Sequence, residues 1–300
     1  MEKTLLSLGH GYTARALAER LIAQGWRVIG TTRSPEKAAR LEAEGVEPLL
    51  WPLDSLAAPL ARATHLLSSV APDAQGDPVL AAHAGEIAGA THLHWVGYLS
   101  TTGVYGDAGG GWVDETSPLA PTTERGRRRV AAEAAWTELA RDAGLPLHIF
   151  RLAGIYGPGR GPFEKLRQGT ARRIVKPGQV FSRIHVDDIA QVLAASMAAP
   201  APGAVYNVCD DTPAPPQDVI AEAARLLDLP LPPEVAFEDA DLGEMARSFY
   251  AESKRVRNER IKRDLGVTLT YPSYRAGLAA MRRTTRRQPG GGSGERAERP

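Results

Sequence analysis

Residues 6–15, LSLGHGYTAR, end an apolar run with Gly9-x-Gly11-x-x-Ala14 and open a helical pattern. Glycine at the first position permits a tight turn, and glycine at the second lets backbone approach a pyrophosphate. A small third residue lets helix and strand pack closely. The start of the helix adds free N–H groups and the positive end of its dipole. On its own the motif is weak evidence, because glycine-rich turns are common. Its setting is informative: KTLLSL reads as a buried strand, Tyr12 to Gln24 as a helix, and WRVIGT as the next strand. The loop is therefore expected to bind a dinucleotide through Gly9, Gly11, Tyr12, Thr13 and Ala14.

The same alternation continues. Ser34 and Pro35 start a second helix that Gly45 follows, and VEPLLW, THLLSSV, LHWVGYLS and PLHIFRL read as further strands with helical stretches between them. Continuous apolar strands alternating with helices predict an α/β fold, a parallel sheet covered on both faces. After Arg151 the rhythm loosens, with a strand-like QVFSRIHV, a helix from Asp187, a strand AVYNV and helices near 216–229 and 274–281. The expected plan is a nucleotide-binding domain over 1–155 and a smaller lobe over 156–282. Elements at about 181–208 are expected to return to the first sheet, and 283–300, rich in Gly, Pro and charge, to form a disordered tail.

A strand that feeds NAD would end in an acidic residue for the ribose 2′-hydroxyl. Here it ends GTTRSPEK, and Thr32 and Arg33 offer hydroxyl and guanidinium groups that suit a 2′-phosphate. NADP is thus expected over NAD. Asp54, after the third strand, is placed either to bond an adenine amine or to cap the next short helix, and Val70 closes the fourth strand beside the cofactor.

The bulk properties narrow the class. Of 300 residues, 36 are Lys or Arg and 35 Asp or Glu, and this balance argues against a nucleic-acid binder. No apolar run approaches the ~20 residues that span a bilayer, and the single cysteine, Cys209, suits a reducing cytoplasm. A cytoplasmic protein with a small-molecule substrate is the expectation, with a homodimer as its candidate assembly; no motif has metal-ligand spacing.

Several segments together, GHGYTA, LSTTGVYGD, PTTERGRRRVAAE, RLAGIYGPG, RIHVDDIA and VYNVCDD, resemble the short-chain dehydrogenase/reductase superfamily in its extended, epimerase-like branch. They occur in family order over roughly residues 3–280. The resemblance implies a Rossmann sheet of about seven strands, a C-terminal substrate lobe and NAD(P) between them. It also implies a catalytic Ser or Thr at Thr101, with Thr102 as the neighbouring alternative, and a Tyr-x-x-x-Lys pair on the helix after it. An ungapped match of Pro121, Thr123, Gly126 and Glu133 puts Arg125 at the tyrosine position and Arg129 at the lysine position. Arginine has five donors and no acceptor, so it cannot exchange a proton as tyrosine does. Arg125 suits an anionic or carbonyl oxygen, and Arg129 a ribose or substrate oxygen; Tyr105 is a replacement proton donor to be tested. The atypical subgroup that lacks the tyrosine is the nearest resemblance. The implied activity is hydride transfer on a small polar or sugar-nucleotide-like substrate, and the alternative is an NADP(H)-binding sensor without turnover. Arg125, Arg129 and Glu133, at i, i+4 and i+8, share one helix face; an Arg129–Glu133 pair on a solvated helix is the alternative to the functional reading that the family position favours for Arg125 and Arg129, while Arg127 and Arg128 are expected to face water.

Overall fold

The computed structural model describes residues 2–287. Seven strands form one sheet: β1 Thr4–Leu8, β2 Arg27–Thr32, β3 Glu47–Leu50, β4 His65–Ser68, β5 Trp95–Thr101, β6 Leu147–Leu152 and β7 Val205–Val208. Their spatial order is β7-β6-β5-β4-β1-β2-β3, and every pairing is parallel. This is the doubly wound α/β arrangement that the alternation predicts. After β3 the chain crosses back to the other side of β1, so a crevice opens at the carboxyl ends of β1 and β4.

Strand alternation divides the core between the two faces. On β1, Leu5 belongs to one apolar cluster while Leu6 and Leu8 belong to the other. Helices α1 (Tyr12–Ile22) and, from late in the chain, Val186–Ala198 pack together on the first face. The second face is covered by α2, here the helix Pro78–Gly89, and α3, the long helix Glu124–Ala143. Thr123 starts α3, its Oγ1 accepting from the Gly126 N–H at 3.1 Å, and Gly144 ends it at φ +67°.

A third apolar cluster forms the lobe, from Phe163 and Leu166 through Ala223 and Ala224 to Tyr274 and Leu278. Of the elements expected between 181 and 208 to return to the sheet, β7 joins it and the helix Val186–Ala198 covers its first face. Arg183–His185 pairs instead with Gly154–Tyr156 as a separate parallel ribbon. The physical reason lies at Arg183, whose guanidinium donates to the carbonyls of Phe181 and Ala214 at 3.0 and 2.9 Å and holds this run against the lobe. Asp188 ties the lobe down, its two oxygens accepting from the Thr270 and Tyr271 N–H groups. The last helix, Tyr274–Arg287, runs past residue 282, so the expected tail cannot begin at 283; residues 288–300 lie outside the described residues.

Candidate active site

The glycine loop is tied to β2 before anything binds to it. The Gly9 N–H donates to Thr31 Oγ1 at 2.7 Å and the His10 N–H to the Thr31 carbonyl at 2.9 Å. Gly9 has φ +75°, and a Cβ there would stand 2.9 Å from Val70 Cγ2, so only glycine fits between this turn and Val70. Gly11 differs: a Cβ would meet only the Gly9 carbonyl, at 3.7 Å, and a larger side chain would grow into open space. Gly11 is the N-cap of α1 with no side-chain cap, and the first turn carries no acid. The N–H groups at this helix start remain available, which suits a pyrophosphate. Ala14 is buried against the strands. His10 packs beside Gly30, and burial, with Arg15 adding to it, lowers its pKa to about 4 and keeps it neutral.

Thr101 ends β5 with its Oγ1 accepting from the Gly103 N–H at 3.2 Å, while Thr102 is buried. Helix α3 begins hard against this turn. A Cβ on Gly126 would lie 2.7 Å from Pro121 Cβ and 3.0 Å from the Gly103 carbonyl, so glycine allows the approach. That approach sets Arg125 and Arg129 beside Thr101. Arg129 is anchored, its Nη1 donating to Tyr98 Oη and the Leu99 carbonyl, both at 2.9 Å. Arg125 has no carboxylate within ion-pair reach among the described residues. Its guanidinium stacks on Phe249 at 5.0 Å, and burial together with Arg129 pulls its pKa below the usual guanidinium value.

A cleft of about 950 Å³ takes in Gly9, Gly11, Tyr12, Thr13, Thr101, Thr102, Arg125 and Arg129, with lobe residues on its far side. The other expected residues stand elsewhere. Thr32, Arg33, Asp54 and Val70 follow or end strands at the same edge of the sheet but do not line this cleft. Arg33 is exposed and makes no hydrogen bond or ion pair among the described residues. Asp54 does not cap the following helix, whose N-cap is Leu56; the Ala57 N–H is taken by Ser55 Oγ instead.

Tyr105 is removed from the reacting surface. Its hydroxyl donates to Asn207 Oδ1 at 2.7 Å and accepts from Arg151 Nη1 at 3.0 Å, and burial pushes its pKa up to about 12. Its proton is committed to the core. Glu133 is likewise not Arg129's partner: it is buried, bonded to Ser100 Oγ and bridged to Arg151 at 2.8 Å. A buried polar chain thus runs from Ser100 on β5 through Glu133 on α3 to Arg151 on β6 and, by way of the Tyr105 hydroxyl, to Asn207 on β7. Arg127 and Arg128 both turn to Glu124, at 3.0 and 3.1 Å, on the solvent side. His185 Nδ1 accepts from the Asp187 N–H as a helix cap. Sequence reading missed Arg160, which directly follows the RLAGIYGPG segment, and Phe249 and Lys254, which enter the cleft from far along the chain with no motif around them.

Residues 8–209 match the model of the NAD dependent epimerase/dehydratase family. The chain belongs to that family. Protein YeeZ of Escherichia coli K12 is 31% identical over 285 residues, covering 90% of this chain and 97% of YeeZ. A solved structure of a functionally unknown conserved protein from Silicibacter pomeroyi is 64% identical, with TM-score 0.89 over 94% of this chain and 99% of that one. The UDP-glucuronic acid 4-epimerase of Bacillus cereus, solved with UDP-glucuronic acid and NAD, shares the fold at 17% identity, TM-score 0.76, over 95% of this chain and 99% of that one. Family membership and fold agree with the extended short-chain dehydrogenase/reductase resemblance and its seven-stranded Rossmann sheet. Among the described residues no helix is long and apolar enough to cross a membrane, and no cluster of His, Cys, Asp and Glu could hold a metal ion.

Proposed function

We propose that this chain is an NAD(P)-dependent, epimerase-like oxidoreductase that acts on a small polar or anionic substrate. The observation that carries the reading is a single cleft joining an uncapped glycine loop, a threonine at the end of β5 and an arginine without a carboxylate partner. The dinucleotide would rest on Gly9, Gly11, Tyr12 and Thr13, packed over Ala14 and Val70, and supplies hydride exchange at nicotinamide C4. Thr101 Oγ1 accepts from Gly103, so its own proton is free to meet a substrate oxygen. Arg125 faces that oxygen as a fixed cation and stabilises negative charge developing on it. Arg129, held on β5, keeps the field positive and orients the first turn of α3. Neither arginine supplies the exchangeable proton of a tyrosine.

NAD is the cofactor named for the Bacillus cereus epimerase. Arg33 supports NADP here, because its guanidinium is exposed at the end of β2 and makes no ion pair among the described residues. NADPH is expected to raise the Tm more than NADH at equal concentration, by linkage of binding to folding. Equal or reversed shifts would remove the Arg33 reading. The catalytic claim is tested by following reduced-cofactor absorbance against carbonyl compounds and sugar nucleotides. Because no tyrosine stands at position 125, a second reading stays in view: a cofactor-binding protein without turnover. Tight NADPH binding with no oxidation by the whole panel would select it.

A further inference from the structure

The loop that follows β6 bends back over the glycine loop. Gly157 and Arg160 exchange N–H···O bonds, both 2.9 Å, closing a tight turn around Pro158 and Gly159. This turn is seated on Tyr12, the first residue of α1. Tyr12 Oη donates to the Pro158 carbonyl at 3.0 Å. Gly157 has φ +156°, and a Cβ there would stand 2.5 Å from Tyr12 Oη and 2.8 Å from Val186 Cγ1, so the turn sits this close only with glycine. Burial, the largest influence on it, raises the Tyr12 phenol to about 12, so the hydroxyl remains a donor at neutral pH.

Arg160 stands at the end of this turn, its guanidinium 5.6 Å from the Tyr12 ring centroid. Among the described residues it has no carboxylate within ion-pair reach, and it shares the cleft with Gly9, Gly11 and Thr13. The nearby Arg15 differs, being paired with Glu44 at 2.8 Å. The uncapped start of α1 and the guanidinium of Arg160 therefore line one cleft, one with backbone N–H groups and the other with a full charge. The stack on Tyr12 holds the guanidinium there at low entropic cost.

We propose that Arg160 is a pyrophosphate clamp: it closes over the dinucleotide from the side opposite the glycine loop, and binding locks the 157–160 turn onto Tyr12. The inference rests on the dinucleotide reading above but assigns a residue that reading does not need. A clamp on the pyrophosphate serves NADH, NADPH and ADP-ribose alike, whereas Arg33 serves only the 2′-phosphate.

The test is the affinity of Arg160→Gln, measured by calorimetry for NADH, NADPH and ADP-ribose, with Arg33→Ala alongside. The clamp requires all three ligands to weaken by a common factor of about tenfold or more, the loss expected of a charge-assisted hydrogen bond. The loss should shrink as salt rises, because an exposed charge contact is screened, and Arg160→Lys should recover part of it. Arg33→Ala should weaken NADPH alone. Unchanged affinities in Arg160→Gln, with the wild type binding normally, overturn the clamp and leave the cofactor reading standing. Weakening confined to NADPH also overturns it, since Arg160 would then read the 2′-phosphate. A wild type that binds none of the three overturns the cofactor reading itself. If Arg160→Gln has lost its far-UV dichroism, Tyr12→Phe takes its place: it removes only the bond to Pro158 and should weaken all three ligands by a smaller, again common, factor.

Discussion

The two walls of the cleft are built by different means. On the sheet side, Thr101, the turn at Gly103 and the start of α3 are locked by a buried polar chain and by a glycine contact that leaves no space for a methyl group. On the lobe side the helix that reaches Arg125 is the short Glu244–Phe249, beside the longer Pro216–Leu226 and Tyr274–Arg287; Arg172 bonds to carbonyls of its own neighbours, and Phe249 meets Arg125 while half exposed. A wall held by strands and long helices keeps its geometry when its ligand changes. A short segment with an exposed side chain, such as Glu244–Phe249, can alter without disturbing the core. On the proposed function, the first wall would carry the reaction class and the second the choice of substrate.

The sharpest way to break that contrast is Glu133→Ala. Removing one member of the buried pair strands Arg151 and Ser100, and a loss of about 3–5 kcal/mol is expected. Urea unfolding measures it, and a loss below 1 kcal/mol would mean that the sheet wall is not held by this chain.

Acid should separate the regions next. Burial lowers both His10 and His65 to about 4 from 6.5, with smaller pushes from Arg15 on the first and from His94 and Lys3 on the second. The unfolded chain takes up these protons first, so the stability they contribute is whole above pH 6.5 and is lost as pH falls toward 4, on the order of 3 kcal/mol apiece. His65→Gln should flatten the decline between those values in a stability–pH profile. Asp210, where the sheet meets the lobe, behaves oppositely: burial raises it from 3.8 to about 7. The folded state keeps that proton, so its contribution fades as pH rises from about 4 to 7. Asp210→Asn should therefore gain Tm over the wild type at pH 8 and not at pH 4; a uniform shift would refute the assignment.

Smaller effects come from single exposed cations. Arg33→Ala should cost NADPH about 1.5–3 kcal/mol of binding and NADH nothing measurable, as read by titration. Arg172→Ala on the lobe wall should move urea stability by no more than about 0.5 kcal/mol; a loss comparable to that of Glu133→Ala would erase the contrast between the walls.

What was legible in the sequence follows the same division. Gly9-x-Gly11-x-x-Ala14, the Ser34–Pro35 helix start and the parallel strands are local patterns, and local patterns survive into the fold. Arg127 and Arg128 could be placed in solvent because a helix repeat fixes which residues share a face. That repeat also allowed an Arg129–Glu133 pair as the alternative to a functional Arg129, and the pair does not form. Tertiary partners outbid the neighbour one turn away: Arg129 found β5 and Glu133 found Arg151. For Tyr105 a proton-donor role stood beside packing under the site, and nothing near it in sequence discloses Asn207, 102 residues later, which decides for the packing. Arg160 and Tyr12 are a similar case, joined across the fold by a turn that no spacing rule anticipates. The run 179–186 looked like a sheet strand because it alternates; the capture of two carbonyls by Arg183 decided otherwise.

The order of strands carries one further consequence, for synthesis. β6 lies between β5 and β7, yet β7 is separated from it in the chain by the Arg183–His185 ribbon and the helix that follows. On the ribosome the sheet stays one strand short until Val208 has emerged, and Leu147–Leu152 waits with an open, apolar edge. Bare edges of this kind recruit other chains. Newly made protein should be most prone to misassembly in that interval, and a pause in translation before residue 205 should lengthen it.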